Sequence, residues 1–411
     1  MAQSEPFQPS ILFRNDKSGE TLVFTAPVDI VVARRGDDVL PALAQLERAR
    51  QEGYWLAGAL AYEAGCVFED KLRRLIPDGR DVPLLQFGIF NGPADPSHPL
   101  GHSHRLAHPH HPESNTHLLG NPVAAWDFES YRQQFEILHQ HLRQGDCYQA
   151  NLTMPIEAAY RGSPRDVFWS LIARQPVSYG ALVDLGGPAI VSRSPELFFK
   201  VDGDGFIETH PMKGTAARGS DDAEDEAIKV AMLTDEKTQA ENRMIVDLLR
   251  NDISRIIEPD SLTVPKLFDI ETYPTLHQLV SHVRGKLLPG MGLDDILAAL
   301  FPCGSITGAP KLAAMQILHR LEAGPRDIYC GAIGFCDPAG PMQFSVAIRN
   351  LTLFDQPTIS DHFPEQQGLF KSRRAVFNVG GGIVFDSKPE QEYQECLLKA
   401  RFAVGDQWIS R

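Results

Sequence analysis

The chain has 411 residues, with 39 Lys and Arg against 53 Asp and Glu, a net charge of −14, 43% hydrophobic and 22% charged residues. This balance excludes a disordered, collagen-like or coiled-coil chain, and its sign disfavours nucleic acid or an anionic membrane surface as a partner. Six cysteines without a CxxC pair, no leader-like N-terminus and no apolar run near the roughly 18 residues of a membrane span predict a cytoplasmic globular protein.

In chain order, residues 11–13, 21–24, 55–61 and 84–90 read as strands around one helix at 40–52, where Leu40, Leu43, Ala44 and Leu46 recur near helical spacing. Residues 91–122 are rich in Pro, Gly and His without periodicity. Seven histidines fall between His98 and His117, but their irregular spacing, without a Cys or carboxylate cluster, favours a solvated loop over a metal site. Further on, helices are predicted at 127–144, 165–174, 223–258, 292–301, 309–322 and 389–402. Strands are predicted at 177–184, 188–192, 196–201, 328–335, 343–353 and 375–385. Phe354 to Arg374 reads as an inserted polar loop. This order favours an α+β fold with largely antiparallel sheets and helices outside. The composition change divides it into an N-terminal part, 1–122, and a core, 123–411.

A few residues ask for chemistry. Glu241 falls near the centre of an apolar arc of Ala240, Met244, Ile245, Leu248, Leu249 and Ile256, on a helix whose predicted N-cap is Thr234. A buried carboxylate is costly unless paired, protonated or metal-bound. A core Glu–Arg pair, a helix face turned to a cleft and a metal site all remain open on this pattern. Lys213, in His210-Pro211-Met212-Lys213-Gly214-Thr215, reads as a turn lysine beside backbone open to a ligand, and a solvated turn is the commoner case. Glu196, at the Pro-marked entry of a strand, becomes its acid/base partner only where the two strands are neighbours.

Gly380-Gly381-Gly382 lets backbone N–H groups approach an oxyanion, although a hairpin turn has the same signature. Gly304-Ser305-Ile306-Thr307-Gly308 enters a helix and offers hydroxyl and N–H donors to an anion. Pro310 ahead of Lys311 rules out a P-loop. The last helix opens on Ser387-Lys388-Pro389-Glu390. Its apolar face is Tyr393, Cys396, Leu397 and Ala400, so Glu395 reads as a surface carboxylate.

Together these segments resemble the chorismate-utilising enzymes, and within them the branch of aminodeoxychorismate synthase component I. The matches run in the family's order over about residues 126–403. They are Gly145 to Thr153, Ser194 to Phe198, Pro211 to Thr215, Ala240-Glu241-Asn242, Asp247 to Asp252, Phe301 to Lys311, Tyr329 to Gly334, Ala347-Ile348-Arg349 and Gly380 to Glu395. The resemblance implies two largely antiparallel sheets packed face to face, with helices outside. It implies Mg²⁺ held by Glu241 and Glu395, with Glu392 behind them, an oxygen-only set suited to a hard cation. The remaining oxygens of chorismate would meet Gly214, Thr215, Ser305, Tyr329, Arg349 and the backbone of Gly380, Gly381 and Gly382.

By the same resemblance Lys213 is the nucleophile on C2 of chorismate and Glu196 the general acid for the C4 hydroxyl. The implied activity is amination of chorismate at C4 with ammonia to 4-amino-4-deoxychorismate, on the route to p-aminobenzoate and folate. The ammonia would come from a separate glutamine amidotransferase subunit, component II, since no glutaminase motif is evident here. Relatives that make anthranilate usually carry Ala where Lys213 stands and His where Gln278 stands. Tryptophan-regulated ones carry a Leu-Leu-Glu-Ser segment with no counterpart here. The rival readings are anthranilate synthase component I and a non-catalytic relative that scaffolds a glutaminase.

Overall fold

In the computed structural model, residues 7–78, 80–101, 119–272, 276–357 and 373–405 are described. The chain folds into a nine-stranded and a ten-stranded sheet in which all pairings are antiparallel. The first runs Gly308–Ala309, Gln149–Tyr160, Arg373–Ile383, Asn350–Pro357, Ala189–Ser194, Tyr179–Asp184, Ser10–Arg14, Thr21–Thr25, with Leu119–Ala124 added to Gln149–Tyr160. The second runs Met212–Ala217, Leu276–Lys286, Phe206–Thr209, Leu197–Val201, Met342–Ala347, Gly331–Cys336, Trp55–Leu60, Leu85–Phe90, Asp29–Ala33, with Thr263–Thr272 also on Leu276–Lys286.

Side chains alternate across a strand, so each sheet has two faces to cover. Ile11, Phe24, Ala181 and Val183 of the first sheet meet Ala57, Ala59, Phe90 and Ile333 of the second in one shared core. The outer face of the second sheet, including Phe87, Phe199 and Phe344, is covered by the helices Gly36–Gln51, Glu236–Ser254 and Leu293–Leu300. Phe199 and Phe344 stack with centroids 5.0 Å apart, and each such buried ring contributes roughly 1.5–3 kcal/mol. Helices Phe128–Gln144, Pro164–Ile172, Lys311–Leu321 and Pro389–Val404 cover the first sheet. The α+β expectation, with sheets face to face and helices outside, holds. Among the described residues no helix is long and apolar enough to cross a membrane.

Several local expectations change. The helix read as 223–258 is two, Asp222–Thr234 and Glu236–Ser254. Asp235 between them leaves helical geometry, and its carboxylate accepts from the Thr238 N–H at 2.7 Å; it is the N-cap. The Thr234 hydroxyl instead bonds back to Val230 O. Residues 119–124 form a strand rather than loop. Most of the histidine-rich stretch lies outside the described residues, as does 358–372 of the expected polar insert, whose start is strand to Pro357. The strand expected at 343–353 is broken around Arg349, where φ is +51°. Lys213 belongs to a strand, Met212–Ala217, not a free turn.

Candidate functional site

Lys213 owes its position to its neighbour. Gly214 has φ +86°, and a Cβ there would meet Thr238 Cγ2 at 2.3 Å, so only glycine lets this strand pack on helix Glu236–Ser254. The ladder with Leu276–Lys286 slips between Met212 and Thr215, a bulge that takes Lys213 and Gly214 out of regular pairing. The Lys213 amine then reaches across to the other sheet. A Cβ on Gly382 would sit 3.2 Å from Lys213 Nζ and 2.8 Å from Gln149 Nε2. Any side chain at 382 would therefore crowd the amine. Among the described residues Lys213 Nζ makes no hydrogen bond or close ion pair.

Burial pushes the Lys213 amine below the ordinary lysine range; Glu241 opposes this, Lys399 adds to it, and Glu196 and Glu395 oppose it more weakly. Glu196 is 5% exposed and burial raises its carboxyl to about 7, against the Ser305 hydrogen bond and the charges of Lys213 and Arg349. Ser305 Oγ donates to Glu196 Oε1 at 2.7 Å, and Cys303 Sγ lies 3.2 Å from Ser305 Oγ. The strands of Glu196 and Lys213 are not neighbours: Leu276–Lys286 and Phe206–Thr209 lie between them. The two groups meet in the cleft rather than along a ladder, which the condition drawn from sequence did not foresee. An acid protonated near neutrality and a lysine eased toward its neutral form are what nucleophilic displacement with leaving-group protonation requires.

Glu241 is half-buried, with Ala240 exposed beside it while Asn242, Ile245 and Leu249 point into the core. The helix therefore turns Glu241 to the cleft, not into the apolar core. Across from it, helix Pro389–Val404 presents Glu392 and Glu395. Glu395 pairs with Lys399 at 2.8 Å. Burial tends to raise its carboxyl, yet Lys399, Lys213 and Lys237 hold it below the usual range. Glu392 is raised, by burial first and by the adjacent Glu395, and a Cβ on Gly381 would lie 3.0 Å from its Oε2. The surface character expected of Glu395 is real, but the surface is the wall of the cleft. This donor set is all carboxylate, with Glu241 making no hydrogen bond or ion pair among the described residues; its chemistry fits a hard divalent cation such as Mg²⁺. The only grouping among the described residues with three ligand atoms within 4.8 Å of one another is a different one, His210, Glu271 and His282.

The remaining sequence candidates fall around the same wall with unequal closeness. Arg349 acts on Glu196, and its backbone O accepts from Arg193 N at 2.9 Å. Tyr329 is buried, with burial and the neighbouring Cys330 and Cys396 keeping its phenol protonated. Gly380 O accepts from Lys399 Nζ at 2.8 Å. Thr215 is exposed and donates to Gln278 Oε1 at 3.1 Å, while Gln278 Nε2 donates to Gly214 O at 3.0 Å. His277 is turned away, fully buried between Asp225 and Thr272.

Two residues of the cleft were not singled out as site candidates by sequence, although Gln149 lies within the matched stretch Gly145 to Thr153. Lys399 links Glu395 to Gly380; a Glu and a Lys four apart on one helix was the available signal. Gln149 has both polar atoms of its amide buried without a partner, beside Gly382 and Lys213. A buried amide left unsatisfied in this way calls for a partner that the described residues do not supply, and its place in a matched motif did not reveal this.

Residues 8–405 match the family of chorismate binding enzymes. Over 271 residues, 66% of this chain and 56% of the relative, the chain is 40% identical to aminodeoxychorismate synthase component 1 of Klebsiella aerogenes. Over 84% of this chain and 73% of the relative, it is 34% identical to anthranilate synthase component 1 of Methanothermobacter marburgensis. The fold superposes on anthranilate synthase component I of Streptococcus pneumoniae with a TM-score of 0.73 at 26% identity, covering 98% of this chain and 93% of that one. The chain thus spans about half the length of the component 1 aminodeoxychorismate synthase, and 36% of the aminodeoxychorismate synthase of Streptomyces pristinaespiralis.

Proposed function

The chain belongs to the chorismate binding enzyme family, and from that membership we propose that it aminates chorismate at C4 to give 4-amino-4-deoxychorismate, the precursor of p-aminobenzoate. The observation that carries this reading is Lys213, a half-buried lysine whose amine has a lowered pKa and no partner among the described residues, set over Gly382 and facing the acid Glu196. The neutral amine adds at C2 as the ring double bonds shift and the C4–O bond breaks. Glu196 supplies the proton that lets the oxygen leave as water. Ammonia then adds at C4, the double bonds shift back, the C2–N bond breaks, and Glu196 takes up the proton that ammonia sheds. Lys213 is thereby regenerated, and chorismate plus ammonia has become aminodeoxychorismate plus water.

Glu241 and Glu395, with Glu392 behind them, would hold Mg²⁺, whose charge would offset a substrate carboxylate. Arg349 suits a second carboxylate by its forked geometry. Tyr329, Thr215, Ser305 and the 380–382 backbone complete the binding set. Ammonia would come from a glutamine amidotransferase subunit, so the chain alone is expected to use ammonium but not glutamine.

The rival outcome, anthranilate with release of pyruvate, is weighed down by Lys213 and by Gln278 holding Gly214 and Thr215. Incubation with chorismate, Mg²⁺ and ammonium, with products identified by mass, tests the proposal. Aminodeoxychorismate supports it; anthranilate and pyruvate, or untouched chorismate, refute it.

A further inference from the structure

A second group of side chains has ligand chemistry and no part in that reaction. Ser281 on strand Leu276–Lys286 faces helix Glu236–Ser254, donating to Asn242 Oδ1 at 2.6 Å, so His282 takes the opposite face of the sheet. One step past the Thr209–Val283 pair, His210 stands opposite His282. The rings stack with centroids 3.8 Å apart and planes 27° apart. Glu271 joins them from strand Thr263–Thr272, and one ligand atom from each of His210, Glu271 and His282 lies within 4.8 Å of the others. Two neighbouring strands and the link that follows Phe206–Thr209 bring these three residues together.

The polar bookkeeping here is incomplete. Nε2 of His210 and Nε2 of His282 are both buried and without a hydrogen-bond partner among the described residues. Glu208 Oε1 stands 3.6 Å from His210 Nε2, beyond hydrogen-bond distance, but close enough for their charges to act on each other, and His210 is the first cause that holds the Glu208 carboxyl low. Buried ring nitrogens are nearly always satisfied, and these two belong to a cluster in which one ligand atom from each residue lies within 4.8 Å of the others. Two imidazolium rings at this separation would repel each other, whereas two neutral rings offer lone pairs, the form that binds metal. Glu271 also pairs with Lys17 at 3.0 Å, and Glu208 pairs with Lys200 at 2.5 Å and Arg284 at 3.9 Å. The carboxylates are therefore already offset, and the unsatisfied groups are the nitrogens.

We propose that His210, His282 and Glu271 form a binding site for a borderline divalent cation of the Zn²⁺ class, separate from the carboxylate cleft. Imidazole ligands select Zn²⁺ and its neighbours over Mg²⁺. Tetrahedral ligands at zinc distances stand about 3.4 Å apart, within reach of side-chain rotation from the present spacing. Such an ion would fasten the strands Thr263–Thr272 and Leu276–Lys286 to the segment that leads, three residues after His210, to Lys213.

The test is Co²⁺ titration of the full chain, freed of metal by a chelator and held in excess Mg²⁺. The expected result is one equivalent bound, with the visible absorption of a four-coordinate nitrogen–oxygen site, and displacement by Zn²⁺. His210→Ala and His282→Ala should each weaken Co²⁺ binding by at least about a hundredfold, and Glu271→Gln by about tenfold, while Glu241→Gln leaves it unchanged. Absence of saturable binding, or binding that the histidine variants retain, overturns the site. Should a histidine variant lose its folded circular dichroism spectrum, Glu271→Gln decides: unaltered Co²⁺ affinity there contradicts the proposal.

Discussion

Two charge systems touch the Gln149–Tyr160 strand, one enclosed around Arg326 and one in the cleft around Lys213, and they differ in one respect. Arg326 and Glu322 are matched atom for atom. Glu322 takes Arg326 Nε and Nη2 at 2.9 and 2.7 Å and the Thr153 N–H and hydroxyl at 3.1 and 2.9 Å, while Arg326 also donates to Ile306 O and Asn151 O. Around Lys213 the charges are as dense but unmatched. Among the described residues the amine lacks a hydrogen bond, Glu241 lacks a partner, and both polar atoms of Gln149 are orphaned. A saturated network holds strands in place; an unsaturated one in a cleft stores binding capacity for a substrate.

If that contrast is right, the two systems fail differently. Lys213→Ala should leave the thermal midpoint nearly unchanged and lower ammonium-dependent turnover by on the order of 10⁴-fold or more, read as kcat/KM. Glu322→Ala should do the reverse, stranding the Arg326 charge and costing about 3–5 kcal/mol of stability, measured by denaturant unfolding. Glu241→Gln should raise the Mg²⁺ concentration needed for half-maximal turnover by roughly 10–100-fold; normal activity at limiting Mg²⁺ would remove Glu241 from the metal site.

The smallest effect concerns pH. Glu196 must carry a proton to act as acid, and its carboxyl is raised to about 7, so the rate should fall as pH rises through about 7. Ser305 donates to the ionised form and thereby lowers that value. In Ser305→Ala the alkaline limb should move to higher pH, and a limb that stays in place would show that Glu196 is not the group being titrated.

The sequence revealed elements better than their meetings. Helices with an apolar stripe and a clear cap were legible, as was the α+β class. The strand Leu276–Lys286 was not, because His277, Gln278, Ser281, His282 and Arg284 interrupt any two-residue hydrophobic pattern; without it Met212–Ala217 looked like a turn. Asp235 splits a helix through its own carboxylate, a local competition that summed periodicity cannot register. Glu395 was assigned correctly to the non-apolar face of its helix, yet periodicity does not distinguish bulk water from a cleft. The catalytic candidates became coherent only through family resemblance, since two strands separate that of Lys213 from the one that Glu196 enters.

The central claim is that Lys213 bonds to the substrate. Intact-protein mass spectrometry with chorismate and Mg²⁺, in the absence of ammonia, should show a mass increase equal to chorismate less water, removed by added ammonium and absent from Lys213→Ala. An unmodified wild-type chain under those conditions, together with a Lys213→Ala variant slowed only about tenfold, would contradict the account and leave Lys213 a binding residue.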